Sequence, residues 1–151
     1  MEKEQYVAAL RRSVSEFDEL RKQDPDAKID MSEADLSDTD LRGVSLFRAN
    51  LNNVNFDGAD LSKANLSQTD LRGAHFKGAR LVDIRLHQAD LEGADFRGAE
   101  LGGFEAESQL CLRNCNFKGV RWSKEQLEYF LEVLNQNDDW YIRYQLVPKR
   151  L

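Results

Sequence analysis

The sequence predicts an all-β solenoid, and three observations carry that prediction. Large apolar residues recur every five positions, without a slip, from Met31 to Leu101. A small or branched residue stands two positions before each of them. The phenylalanines Phe56, Phe76 and Phe96 recur every twenty positions. Self-similarity at a short fixed period is the signature of a chain that stacks on itself.

Ahead of the repeat, residues 3–23 read as a helix. Val7, Leu10, Val14 and Phe17 step by three and four, with Leu20 following on the same face. Asp24-Pro25-Asp26 stops it. Residues 1–28 are therefore expected to form a helix and turn covering the open edge of the first coil, because an uncovered edge presents unpaired backbone groups.

The repeat occupies residues 29–122. A helix turns about 100° per residue, so a five-residue period would carry its apolar stripe round by about 140° per repeat. In a flat strand an odd period would send every second large residue to the opposite face. The chain must therefore turn once in each five residues. The small residue and the large one share parity, so a short extended piece points both inward. The glycines two positions after the large residue (Gly43, Gly58, Gly73, Gly78, Gly93, Gly98 and Gly103) mark the corner, where a positive φ costs glycine little. Four such turns per coil would stack the phenylalanines in one column. Phe117 follows Phe96 after 21 residues, which implies one inserted residue between Leu101 and Leu112.

The tandem pattern, written as Ala59-Asp60-Leu61, Ala64-Asn65-Leu66 and Thr69-Asp70-Leu71, resembles the pentapeptide-repeat family. The resemblance covers residues 29–122. It implies a right-handed, quadrilateral parallel β-helix of about 4.5 coils with the small and large positions inside. An N-terminal helix running into the first coil is also a family habit. So is dimerisation through the C-terminal end. Some members inhibit or protect DNA gyrase and topoisomerase IV as rods that imitate the duplex, and so confer fluoroquinolone resistance.

Residues 123–151 are expected to cap the far end. Ser123 and Gln126 form a capping box for a helix over about 124–135. Beyond it, Trp140, Ile142, Tyr144 and Leu146 alternate as in a strand, while Trp140, Tyr141 and Tyr144 also suit one helical face. Tyr129, Trp140, Tyr141 and Tyr144 are more aromatic surface than a lid needs. The segment is read as a cap, with a homodimer contact as the second reading.

Composition narrows the function. A net charge of −6 and a pI near 5.0 leave no electrostatic footprint for direct nucleic-acid binding. No apolar run approaches the length of a membrane span, and the first ten residues carry no signal-peptide core, so the expected compartment is the cytoplasm. His75 and His87 point outward on different sides and have no spaced ligand partner. Cys111 and Cys115 fall on opposite faces, which rules out a shared metal. Gly102-Gly103 lacks the Lys-Ser/Thr of a phosphate loop. No enzyme, no cofactor and no metal are expected.

Positions that disobey the repeat are the better clues to function. Phe47, and more weakly Val82, occupy an outward position that is otherwise polar or small. Phe47 is either an interface anchor or lies under a terminal segment. Phe104 and Ala106 exchange the large and small roles, which fits a bulge at the inserted residue. The candidate partner-binding residues are therefore Phe47, Val82, Phe104, Trp140, Tyr141 and Tyr144. Stacked at a period of twenty, Asp40, Asp60 and Glu100 share one column with Arg80, and Asp70 and Asp90 share another with Asp30 and Asn50. These five acids form the candidate DNA-mimic face. Eleven basic side chains set against fifteen acidic ones over 29–122 make it a weak mimic. The favoured expectation is a non-catalytic protein-binding solenoid with an unidentified partner. The alternative is a DNA-mimic modulator of a type II topoisomerase.

Overall fold

The computed structural model describes residues 2–102, 121, 122 and 128. Two helices come first, α1 (Lys3–Arg12) and α2 (Val14–Gln23). The sequence reads as one continuous helix here, and the structure breaks it at Ser13. Ser13 is extended (φ −169°, ψ 153°), and its hydroxyl accepts the Glu16 N–H at 3.1 Å, opening α2 as an N-cap. Tyr6, Ala9, Leu10 and Phe17 are buried, and Tyr6 meets Phe17 edge-on at 5.8 Å.

Residues 29–102 repeat one backbone pattern every five residues. Parallel bridges join each repeat to the one twenty residues on, as in Asp30↔Asn50↔Asp70↔Asp90 and Asp35↔Asn55↔His75↔Asp95. Four repeats therefore make one coil. Where the ladder is continuous it forms β1 (Arg80–Val82), β2 (Glu100–Gly102) and β3 (Arg121–Trp122), in that order in one parallel sheet. The β1–β2 register is twenty residues, Leu81↔Leu101. The β2–β3 register is twenty-one, Leu101↔Trp122. The extra residue expected after Leu101 is thus taken up between these strands.

Why Asp or Asn precedes the large residue follows from the hydrogen bonds of a single repeat. In the repeat centred on Leu51, the Leu51 and Asn53 N–H groups donate to the next coil, at Asp70 O (2.8 Å) and Arg72 O (2.9 Å). Asn50 N–H donates to the previous coil at Ile29 O (2.8 Å). Val54 N–H closes the turn on Leu51 O (3.1 Å). One donor is left, Asn52 N–H, and the Asn50 side chain accepts it at 3.2 Å. An N–H withdrawn from water without an acceptor is costly, so a short side-chain oxygen is favoured on the residue before the large one. Asp30, Asp35, Asp40, Asn55, Asp60, Asn65, Asp70, Asp90 and Asp95 all accept the N–H two residues on in this way.

The corner two residues after the large one takes a positive φ at every copy from Glu33 to Gly98. Six of these positions are glycine. The other eight, including Asp38, Arg48, Lys63, Gln68 and Gln88, adopt the same left-handed conformation despite their Cβ. The third-position φ is that of a type II turn. Inside the coil, Phe56, Phe76 and Phe96 stack in one column, with centroids 5.4 and 4.8 Å apart. The alanine layer Ala59, Ala64, Ala74, Ala79, Ala89, Ala94 and Ala99 is fully buried beside the large residues.

The helices lie against the first coil through cations. Lys3 Nζ donates to Ser32 O at 3.0 Å, Arg11 Nη2 to Asp35 O at 2.8 Å, and Arg21 Nη1 to Ser45 O at 3.2 Å. These carbonyls belong to a coil that has no predecessor to bond with.

Candidate partner-binding surface

The outward side chains fall into four columns of short segments. The first runs through 30–33, 50–53, 70–73 and 90–93, the second through 35–38, 55–58, 75–78 and 95–98. The third runs through 40–43, 60–63, 80–83 and 100–102, and the fourth through 45–48, 65–68 and 85–88. Some outward side chains bond to their neighbours in the stack, as Asn55 Nδ2 does to Asp35 Oδ1 at 3.1 Å and Gln68 Nε2 to Gln88 Oε1 at 2.9 Å.

Many acids of the first three columns are structurally engaged. Asp40 accepts Arg42 Nε at 2.8 Å and Nη2 at 2.6 Å, a two-pronged pair. Arg42 and the turn N–H together hold the Asp40 carboxyl at about 2, below its ordinary 3.8. Arg72 clamps Asp70 and Arg97 clamps Asp95 in the same way, and both carboxyls are held below their ordinary value, with the arginine as the largest cause. Asp90 lies 4.0 Å from Arg72 Nε, and Glu100 lies 3.9 Å from Arg80 Nε. Asp60 spends an oxygen on Ser62 N–H at 3.0 Å. Of the five candidate DNA-mimic residues, Asp40, Asp70, Asp90 and Glu100 each face an arginine. Asp40, Asp60 and Glu100 share the third column, and Asp70 and Asp90 the first, at the expected register.

Phe47 is the exposed large hydrophobic residue among the described ones, at 36%. It stands on the fourth column, and the Arg48 guanidinium sits 5.0 Å from its ring centroid. Arg48 is itself held at the head of a ladder. Its Nε donates to Gln68 Oε1 at 2.8 Å, and Gln68 Nε2 donates to Gln88 Oε1 at 2.9 Å. Phe47 also lines a hollow with Arg21, Lys28, Asp26, Asp30 and Arg48. Val82 is half-buried, with Gly102 seated over it in the next coil. Phe104, Trp140, Tyr141 and Tyr144 lie outside the described residues, as do Cys111, Cys115 and all of the helix expected at 124–135 except Glu128, which is helical.

From sequence, Phe47 stands out on this column, while Arg48 and Arg85 count only as interruptions of the acidic face. Their signal is a composition within a column. The segments 45–48, 65–68 and 85–88 (Ser-Leu-Phe-Arg, Asn-Leu-Ser-Gln, Arg-Leu-His-Gln) contain no carboxylate, while every other column carries at least four.

Comparison with known proteins places the chain. The family described as pentapeptide repeats matches residues 29–68 and 69–103, in 8 copies. Among solved structures the chain is similar to a pentapeptide repeat protein from Nostoc Pcc 7120, at 34% identity over 71% of this chain and 75% of that one, with a TM-score of 0.33. It is similar to one from the Arabidopsis thaliana thylakoid lumen, at 24% identity over 69% and 75%, with a TM-score of 0.34. It is also similar to QnrB1, a plasmid-mediated fluoroquinolone resistance protein, at 20% identity over 72% of this chain and 64% of that one, with a TM-score of 0.26. No curated protein matches. The matched residues include those joined by the twenty-residue bridges, and the chain belongs to the pentapeptide repeat family.

Proposed function

We propose that this protein is a non-catalytic scaffold that binds another protein through an outward face of its solenoid. In this reading residues 29–122 form a right-handed, four-sided β-helix of about 4.5 coils. Residues 1–28 cap one end, and residues 123–151 cap the other and supply a homodimer contact through Trp140, Tyr141 and Tyr144. The observation that carries the proposal is Phe47, a large aromatic held outward and exposed at a position that, Val82 apart, is elsewhere polar or small. Solenoids bind along their stacked, rigid outer surfaces, and an exposed aromatic beside an arginine has the composition of an interface anchor.

The test is a pull-down from native extract with the wild-type chain, Phe47→Ser and a chain ending at residue 136. A partner whose recovery falls with either variant supports the scaffold. Recovery indifferent to both overturns it.

Mimicry of DNA against a type II topoisomerase is the second reading, and it has the acidic columns in its favour. The arginine clamps on Asp40 and Asp70 oppose it, because each leaves little net negative charge to display. It predicts altered gyrase supercoiling at micromolar protein; unchanged supercoiling and unchanged quinolone protection reject it.

A further inference from the structure

We infer that the fourth column is the docking face and that its occupant is an acidic segment of a partner protein carrying an apolar side chain for Phe47. The inference rests on the scaffold reading and specifies its face and its partner chemistry.

Four observations converge on it. First, the protein is acidic overall, yet the segments 45–48, 65–68 and 85–88 hold no carboxylate. Second, the arginines of this column are uncompensated. Arg42, Arg72 and Arg97 each grip an aspartate two residues earlier, and Arg80 faces Glu100. Among the described residues, no ion pair engages Arg48 or Arg85. The reason is local: the residue two before Arg48 is the buried Leu46, and Arg85 itself occupies the position that other repeats give to Asp or Asn.

Third, the Phe47 repeat of this column breaks the rule that the turn N–H is accepted by the preceding side chain, which Asn65 in the next coil obeys. Ser45 stands where Asp or Asn is usual, and Phe47 N–H has no acceptor among the described residues. Even the His75 repeat keeps its donor satisfied, because Asp57 of the previous coil accepts Lys77 N–H at 2.8 Å. A free backbone donor beside the uncompensated Arg48 guanidinium calls for a carboxylate, and Arg85 adds a second cation two coils further along the column. Fourth, the apolar contact is preorganised. The Gln88–Gln68–Arg48 ladder fixes the guanidinium over the Phe47 ring, so little side-chain freedom is lost on binding.

An acidic peptide fits better than nucleic acid. The column offers two arginines in a chain of net charge −6, whereas a backbone of phosphates is held by a dense cationic stripe. It also fits better than a second copy of this chain, because Asp40, Asp70, Asp90 and Glu100 on the first and third columns each already face an arginine of their own.

The experiment uses the full chain and a fluorescein-labelled peptide of alternating Glu and Phe, read by fluorescence anisotropy. A peptide with Lys in place of Glu and a single-stranded oligonucleotide serve as competitors. The expected result is saturable binding that weakens as salt is raised. It should fall at least about tenfold in Arg48→Glu and in Phe47→Ser. Lys77→Glu, the same charge reversal on the second column, should leave it unchanged. Circular dichroism melts of each variant keep the comparison independent of folding, and the salt dependence of the wild-type chain needs no variant.

Absence of peptide binding overturns the inference. So does an equal loss in Lys77→Glu, a preference for the oligonucleotide, or a protein dimer that Arg48→Glu dissolves. If a cellular partner binds and Arg48→Glu does not weaken it, the docking face is wrong and the scaffold stands. If no protein partner depends on any outward residue, the scaffold reading itself fails.

Discussion

Phe76 and Phe96 lie twenty residues apart in sequence and stack face to face, with centroids 4.8 Å apart and planes 4° from parallel. The column continues to Phe56. Each ring therefore fills space that its neighbours in the adjacent coils define. Truncating the middle ring, Phe76→Ala, removes contacts on both sides and should cost about 3–5 kcal/mol. Phe76→Leu keeps most of the volume and should cost less than about 1.5 kcal/mol. Urea denaturation of the two variants checks the contrast.

The glycines at the corners should not be equivalent. An alanine at Gly43 (φ +71°) has nothing within 4 Å of its Cβ. Gly43→Ala should lose only the left-handed penalty, about 1 kcal/mol. An alanine at Gly58 (φ +70°) would meet the Asp38 carboxylate in the previous coil as well. Gly58→Ala should therefore be the more destabilising of the two, and Asp38→Ala should restore part of the loss. Conversely, Lys63→Gly relieves a Cβ at φ +63° and should not destabilise the fold as glycine in a strand interior does. Thermal melts rank all four.

Much of this was legible in the sequence because a period of five excludes both regular elements. Leu36, Leu61 and Leu81 announce the inward wall, and Gly58 and Gly78 announce the corner. The twenty-one-residue step from Phe96 to Phe117 was enough to place the insertion after Leu101, where the β2–β3 register now takes it up. The break at Ser13 was missed although Ser13 and Glu16 spell an N-cap signature, because Val7, Leu10, Val14 and Phe17 keep their helical step across it. The left-handed conformation of Lys63 or Gln88 could not be read from residue type, since both prefer other backbone regions. The strip of Arg48 and Arg85 is invisible in any linear window and emerges only when the chain is folded into columns.

The carboxyls at the turn position should make stability sensitive to acid. The Asp30, Asp35, Asp40, Asp70 and Asp95 carboxyls are all held below their ordinary 3.8, Asp40 at about 2. A lowered folded value means the folded state favours the ionised form. The resulting stability is present above pH 3.8 and is lost as pH falls toward 2. The melting temperature should therefore be flat with respect to these groups above about pH 5 and drop below about pH 4. Arg42→Gln should bring Asp40 back toward its ordinary value, an NMR titration of the carboxyl carbon being the direct check.

The N-terminal helices should protect the first coil edge. Arg11 and Arg21 donate to Asp35 O and Ser45 O, which have no coil to accept from. The double variant Arg11→Ala/Arg21→Ala should lose about 1–3 kcal/mol, discounted for exposure, and should expose a strand-like edge. Light scattering on warming should report earlier self-association than in the wild-type chain.

The central claim is that this solenoid works by holding a protein partner against the column of Phe47. Photo-crosslinking tests it most directly, with benzoylphenylalanine placed at position 47 and, in a separate sample, at position 77 of the second column. The account predicts one defined protein adduct from position 47, absent from position 77 and reduced by Arg85→Glu. Adducts of equal yield from both positions, or none from position 47, would contradict it.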